Sequence, residues 1–547
     1  MHTVMKLVSP LTKVFLEDEP TACDDACFSG FQNEVISFQA AYRLCDASRY
    51  HCQVSVRVAS PLPCVRVRRV MHVPVSFATY ADADDNYLRK TPGLYPDLLR
   101  DVANTRLHAF TDQWQSLWID VSPNGKEAAG DYPVTVTLCD AQGESLGSVC
   151  ATVRVLPGLL PPLSIRHTKW LHCDGIAQHY GMPMWSEPFW TILERFVARM
   201  ASSNIDTLLT PIHTPPLDTA VGGERMTCQL VDVRLDGGRY TFGFEKLHRW
   251  VAMAERCGIR FFEMAHLFTQ WGAHCTPKVE ALVDGVPRRI FGWDVPAQSD
   301  AYRDFLACYL PALTSELRAL GIAERCFFHI SDEPGKEHVA SYLAAKALAA
   351  PHLPGLRILD AMSDPAFYQS DPSFTPVAAT NHIAPFLDAR VEPLWAYYCL
   401  GQYKLVSNQF MAMPSARTRI LGAQLFKFGL EGFLHWGFNF YSTQYSTAPV
   451  DPYAVTDGDG FAPAGDTFQV YPGPDGTPED SIRLMMAQKA FDDHRALCWL
   501  AQARGRAHAL RVLDETLGAD LAFDHFPHGQ DTLLNMRARI DQALCAL

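Results

Sequence analysis

RCFFHISDEPGKEHVASYLAAKALAA, residues 325–350, carries the pattern from which the fold is read. An apolar run stops at two adjacent carboxylates, Asp332 and Glu333. Pro334 follows, and then a stretch of small and apolar residues at helical spacing. Strand, polar loop and helix in that order make one β/α unit. The unit recurs on both sides. Further candidate strands are TKWLHCD (168–174), IDTLLTPIH (205–213), IRFFEMAH (259–266), LRILDAMSD (356–364), PVAATNH (376–382), EPLWAYYC (392–399) and EGFLHWGFN (431–439). Amphipathic stretches such as FWTILERFVARMASS and FEKLHRWVAMAERCG lie between most of them. Eight such units predict a (β/α)8 TIM-like barrel. A doubly wound open sheet is the competing arrangement, but no Gly-x-Gly-x-x-Gly follows the first strand.

The strand ends favour the barrel. Nearly all finish in polar or aromatic residues: Asp174, His213, His266, Asp332 with Glu333, Asp364, Asn381, Tyr397, and Trp436 with Asn439. In a barrel these ends and the loops after them build one pocket. Upstream, HCQVSVRVAS, PVTVTLCD and SVCATVRVL read as short strands of a β-sandwich over residues 1–160. The Pro-rich LPGLLPPLS (156–164) marks the boundary to a barrel at 161–495. Residues 496–547 read as helices packed on the barrel's outside.

Composition excludes several functions. The chain has 547 residues, is 48% hydrophobic and carries a net charge of −13. Without a Lys/Arg cluster it has no surface for nucleic acid. It has no secretory h-region and no run of about eighteen apolar residues, so it is expected to be cytoplasmic, without a membrane span. Sixteen cysteines are scattered through it, and the one close pair, Cys23 and Cys27, lacks partner ligands for zinc. DGDGFAPAGD, with Asp457 and Asp459, lacks the last acid of a calcium loop, and His172 with Asp174 lacks a third ligand. No phosphate loop or Gly-x-Ser-x-Gly elbow occurs. No metal or cofactor is expected.

Read locally, SDEP is a helix N-terminus, with an acid capping free N–H groups and Pro334 in the first turn. Capping accounts for one acid and leaves the second unexplained. Two neighbouring carboxyls repel, so one keeps its proton near neutrality. A protonated and an ionised carboxyl together suit glycosidic cleavage. Acids adjacent in sequence approach a sugar from the same loop and cannot flank its anomeric carbon. That geometry suits substrate-assisted hydrolysis, in which a 2-acetamido oxygen attacks, one carboxylate orients the acetamido N–H and the other is acid and then base.

The Asp-Glu-Pro of the fourth strand resembles glycoside hydrolase family 123 and the broader family sharing its barrel. GGERMTCQLVDV (222–233), HLFTQWGAH (266–274), WAYYC (395–399), GFLHWGFNFY (432–441) and residues 451–484 extend the resemblance over most of 165–495. It implies a retaining β-N-acetylgalactosaminidase-type enzyme that releases a terminal β-linked N-acetylhexosamine from a glycan, GalNAc favoured over GlcNAc. Asp332 would hold the acetamido group, Glu333 would be general acid/base, and Tyr397 would bond the acetamido carbonyl. The chain departs from the family at Ala396, where an aromatic is usual, and at KAFDDH (489–494), where a structural consequence alone is expected. Two alternatives stay open: a glycosidase or lyase acting on sugars without an acetamido group, and a non-catalytic glycan-binding barrel.

Further candidates follow from position. Trp271 and Trp436, in strand-end loops, are platforms for a sugar's C–H face. His329 shares a strand face with Ser331 and Glu333 by period two, and either bonds a sugar hydroxyl or is a satisfied interior histidine. Asp174, His213, Asn381 and Asn439 are candidate hydroxyl readers.

Overall fold

The computed structural model describes residues 2–46, 48 and 50–547. Eight parallel strands close into a barrel in chain order: Arg166–Lys169, Thr207–Thr210, Phe261–Met264, Cys326–Phe328, Arg357–Ala361, Thr375–Ala379, Trp395–Tyr397 and Gly432–His435. Six lie within their expected segments, while Arg166–Lys169 and Thr375–Ala379 start two residues and one residue before theirs, and each strand is only three to five residues long. The polar ends leave the sheet early and become the loops of the C-terminal face. Arg166–Lys169 pairs with Gly432–His435 to close the ring. Helices Glu187–Ser202, Glu245–Cys257, Asp300–Ala319 and Val339–Ala349 bury their apolar stripes against the outside. Ser186 and Ser299 cap the first and third of these, accepting from Phe189 and Tyr302 N–H.

The N-terminal region is two facing sheets of seven and five strands. In Gln115–Val121, Leu117 and Ile119 face the second sheet, in a core with Phe38, Val136 and Val153. Trp118 points the other way, onto Ile482, Met485 and Met486 of helix Ile482–Arg504. That strand is therefore buried on both faces. The seven-stranded sheet does not end with the N-terminal residues: Val470–Pro472 and Pro478–Ser481, beyond the last barrel strand, form its edge beside Gly93–Asp101. Sandwich and barrel thus share a sheet. Helix Ile482–Arg504 runs through the expected 495/496 boundary. Helices Arg506–Leu517 and Gln530–Cys545 pack Leu513, Leu533 and Ile540 against Ile420 and Phe426 of the barrel's outer layer.

One sheet has no counterpart in the sequence reading. Asp232–Asp236 with Arg239–Gly243, and Val279–Val283 with Val286–Phe291, are hairpins inserted after the second and third barrel strands, and they join into four strands. Among the described residues no helix is long and apolar enough to cross a membrane.

Candidate active site

The fourth barrel strand ends at Phe328, and the chain then leaves the sheet. The loop after the third strand runs alongside it. Leu267, Phe268 and Trp271 N–H donate to the carbonyls of His329, Ile330 and Asp332, each at 2.9 Å. This lacing fixes the SDEP turn, in which Glu333 takes a left-handed backbone conformation, φ 43°. Such a conformation costs a non-glycine residue of the order of 1–2 kcal/mol and persists only where the surroundings impose it. Its effect is to break the period-two alternation, so that Asp332 and Glu333 both line one cavity of about 230 Å³ on the barrel's C-terminal face.

Tyr397 donates to Glu333 Oε1 at 2.6 Å, and Ser363 Oγ lies 3.3 Å from the same phenol. Asp332 makes no side-chain hydrogen bond among the described residues. Burial, then the neighbouring Glu333, push the Asp332 carboxyl well above the usual carboxylate range. Burial also raises Glu333, against the hydrogen bond from Tyr397 that favours its ionised form. Both shifts favour the protonated form, so the pair holds a proton to higher pH than ordinary carboxylates do.

Aromatic walls surround it. Trp436 is fixed by a 2.9 Å hydrogen bond from Nε1 to the buried Asp466, and Trp271 stands edge-on to Tyr445. Both line the cavity, as expected of sugar platforms. The cavity also takes in Trp170, Asp218, Gln270, Gln444 and Phe461, which the sequence reading did not single out. Asp218 sits in the TPPLD loop after the second strand, a strand-end position of the kind that flagged the others. Burial pushes its carboxyl up to about 6.

Other expected site residues are used elsewhere. Asn439 is fully buried and clamps the backbone of His172, accepting from its N–H at 2.8 Å and donating to its carbonyl at 3.0 Å. Asp174 forms a two-pronged ion pair with Arg225, both contacts 2.8 Å. His213 bonds the His266 carbonyl at 2.7 Å, and the Asn381 amide oxygen accepts from Gln402. None of these four lines the cavity. His329 is the interior histidine of its two readings: it is wholly buried, between Glu263 and Asp360. Ser331 is turned from the cavity to donate to the Thr269 carbonyl. Asp457 accepts from Phe77 and Gly460 N–H, as a turn residue does. Both departures from the family pattern lie away from the cavity. Ala396 faces the outer core beside Ala378 and Phe433, while Trp395 and Tyr397 point inward. Asp493 of KAFDDH pairs with Arg419 and Arg537.

Among solved structures, the chain is similar over its full length, and over 98% of the other chain, to a family 123 glycoside hydrolase from Clostridium perfringens described for glycolipid glycan hydrolysis, at TM-score 0.76 and 12% identity. A Lactobacillus rhamnosus β-glucuronidase (8% identity, 89% of this chain and 68% of that one, TM-score 0.32) and the catalytic domain of a Thermobifida fusca endoglucanase (10%, 57% and 85%, 0.29) are too distant to argue from. No curated protein matches. The family described as glycoside hydrolase 123, catalytic domain, matches residues 170–500, a span that contains the whole cavity. The chain belongs to that family and is a glycoside hydrolase.

Proposed function

We propose that the enzyme is a retaining exo-glycosidase that releases a terminal β-linked N-acetylhexosamine by substrate-assisted hydrolysis. The observation that carries this reading is the turn at Glu333, which brings two consecutive carboxyls to one wall of one cavity. Acids on the same wall do not flank an anomeric carbon as a separate nucleophile and acid must. The cavity volume, below the roughly 300–1,000 Å³ of drug-sized ligand sites, suits a single sugar ring and hence exo action.

In this mechanism the Asp332 carboxylate accepts the acetamido N–H and steers the acetamido oxygen toward C1. The bound N–H favours ionised Asp332, so the pair's proton passes to Glu333, which gives it to the leaving glycosidic oxygen. The C1–O bond to the aglycone breaks as the acetamido oxygen bonds to C1, which forms an oxazolinium ion whose N–H stays hydrogen-bonded to the Asp332 carboxylate. Glu333, now ionised, takes a proton from water as that water opens the ring, and the two inversions restore the β configuration. Tyr397, which donates to Glu333, would turn its hydrogen bond to the acetamido carbonyl as Glu333 becomes the proton donor. The preference for GalNAc rests on family resemblance.

The test is hydrolysis of nitrophenyl β-GalNAc, β-GlcNAc and β-Gal by wild type, Asp332→Asn and Glu333→Gln. Turnover confined to acetamido sugars, and reduced roughly 10²–10⁴-fold in both variants, is expected. Cleavage of β-Gal as fast as β-GalNAc would overturn the mechanism.

A further inference from the structure

Directly behind the carboxylate pair, five polar atoms are buried without a hydrogen-bond partner among the described residues: both ring nitrogens of His266, both of His329, and Glu263 Oε1. Their arrangement is specific. His329 Nε2 lies 3.4 Å from Glu263 Oε1, and His329 Nδ1 lies 3.4 Å from Asp360 Oδ1. Both separations are slightly long for a hydrogen bond, but each nitrogen faces one carboxylate oxygen. The two acids are anchored from behind. Thr168 donates to Glu263 Oε2 at 2.6 Å, and Tyr342 OH and Ile330 N–H donate to Asp360 at 2.7 and 2.9 Å. Only a ring protonated on both nitrogens can donate to both acceptors.

His266 stacks on His329, with centroids 4.3 Å apart and planes 20° from parallel. His266, His329 and Asp360 bring possible ligand atoms within 4.8 Å of one another, but both His329 nitrogens face carboxylate oxygens, which makes that ring a donor to the two acids instead of a metal ligand. Burial, then the positive neighbour, hold His266 neutral. Burial works against charge on His329 too, but the carboxylates of Asp360 and Glu263 facing its two nitrogens outweigh it and raise the ring to about 9. The charged groups acting on Asp332 are Glu333, Asp360 and Asp218, all of one sign, and His329, the single opposite charge among them.

We infer that His329 is an imidazolium held between Glu263 and Asp360, and that it is the positioning residue which lets Asp332 ionise to receive the acetamido N–H while Glu333 keeps the shared proton. Its second half rests on the substrate-assisted reading; the first does not.

The first measurement is therefore made without substrate: nitrogen NMR of the full chain labelled with 15N-histidine, between pH 6 and 9. His329→Gln assigns the signal. Glu263→Gln, which keeps shape and removes one anion, supplies a second variant. The expected result is an imidazolium signal persisting to pH 8, with its midpoint lowered by about one unit in Glu263→Gln. A neutral His329 at pH 7 would overturn the inference, and so would a stoichiometric metal in the purified protein whose chelation shifts these signals. The second measurement is kcat/KM against pH on nitrophenyl β-N-acetylhexosaminides. Loss of the positive charge in His329→Gln is expected to move the acid limb up by about one unit or more, with kcat falling at least ~10-fold at little cost in KM. An unmoved acid limb would reduce His329 to a structural role. Wild-type silence on every acetamido sugar would sink the substrate-assisted reading and the role assigned toward Asp332, while the NMR result would still decide the imidazolium.

Discussion

Tyr397 holds Glu333 by one hydrogen bond, and that bond sets a testable sign. A donor to a carboxylate favours its ionised form, so Tyr397→Phe should raise the Glu333 pKa. If Glu333 must be protonated to act, the alkaline limb of kcat/KM then moves to higher pH, and kcat falls about 10–100-fold with the lost orientation. An alkaline limb that stays in place would mean that this bond does not persist in solution. Trp436→Ala removes a wall fixed by Asp466 and should raise KM roughly 2–10-fold, the value of one aromatic contact, with a smaller change in kcat. These residues were legible in the sequence because strand-end position in a barrel points to the pocket. The same position also yielded His213, Asp174, Asn381 and Asn439, which serve the scaffold. Residue type at a strand end does not reveal which partner consumes a side chain. For Asn439 that partner is the backbone of His172, far away in sequence.

At the scale of elements, all eight barrel strands overlap segments recognised by apolar runs, while the four-stranded insert was missed. Its hairpins turn at Asp236-Gly237-Gly238 and Asp284-Gly285, with positive φ at the glycines, and Asp-Gly is a strong hairpin signal. The flanking strands are short and half exposed, so their apolar alternation is weak. The edge strands Val470–Pro472 and Pro478–Ser481 were missed for another reason: the second pairs with Gly93–Asp101, and no local pattern encodes a partner so distant. Asp97 joins the two parts, bonding Arg483 through both oxygens at 2.9 Å and accepting from Tyr471 OH at 2.7 Å. Asp97→Ala leaves Arg483 buried and unpaired, and should cost about 3–5 kcal/mol in denaturant unfolding. Because the sheet is shared, sandwich and barrel should be lost in a single transition; two resolved transitions would show the junction to be weak. Gly422 marks a second tight contact. A Cβ there, on helix Leu421–Phe428, would lie 1.8 Å from the Ala490 carbonyl oxygen of helix Ile482–Arg504, so Gly422→Ala should force these two helices apart and cost about 1–3 kcal/mol or more.

For the whole molecule, buried ionisable groups fix how stability responds to acid. His172, His213 and His494 are pushed down to about 4, burial being the largest cause for each. The unfolded chain takes up these protons near pH 6.5, and the folded one refuses them until about 4, so their contribution is lost as pH falls through that window. Asp218 and Asp541, raised by burial to about 6, work in the opposite sense, as does the raised Asp332–Glu333 pair. Between about pH 6.5 and 4.5 the two sets largely offset, and the decline should be shallow. Below about 4 the raised carboxyls are protonated in both states and drop out. What remains are depressed acids: Asp371 of the barrel, held at about 2 by Lys346 and Ser373 against burial, and two at the sandwich–barrel junction. Burial opposes the charge on Glu34, but Arg537 and Lys489 overcome it and hold the carboxyl at about 2. Asp480 is likewise held at about 2, by Arg199 and Arg68 against burial. A depressed carboxylate stabilises above its unfolded value and loses that contribution as pH falls through the folded one. Thermal unfolding followed by calorimetry should therefore show Tm falling steeply between about pH 4 and 2. A Tm that dropped as steeply between pH 6.5 and 4.5 would place the acid sensitivity in the buried histidines instead of the depressed acids.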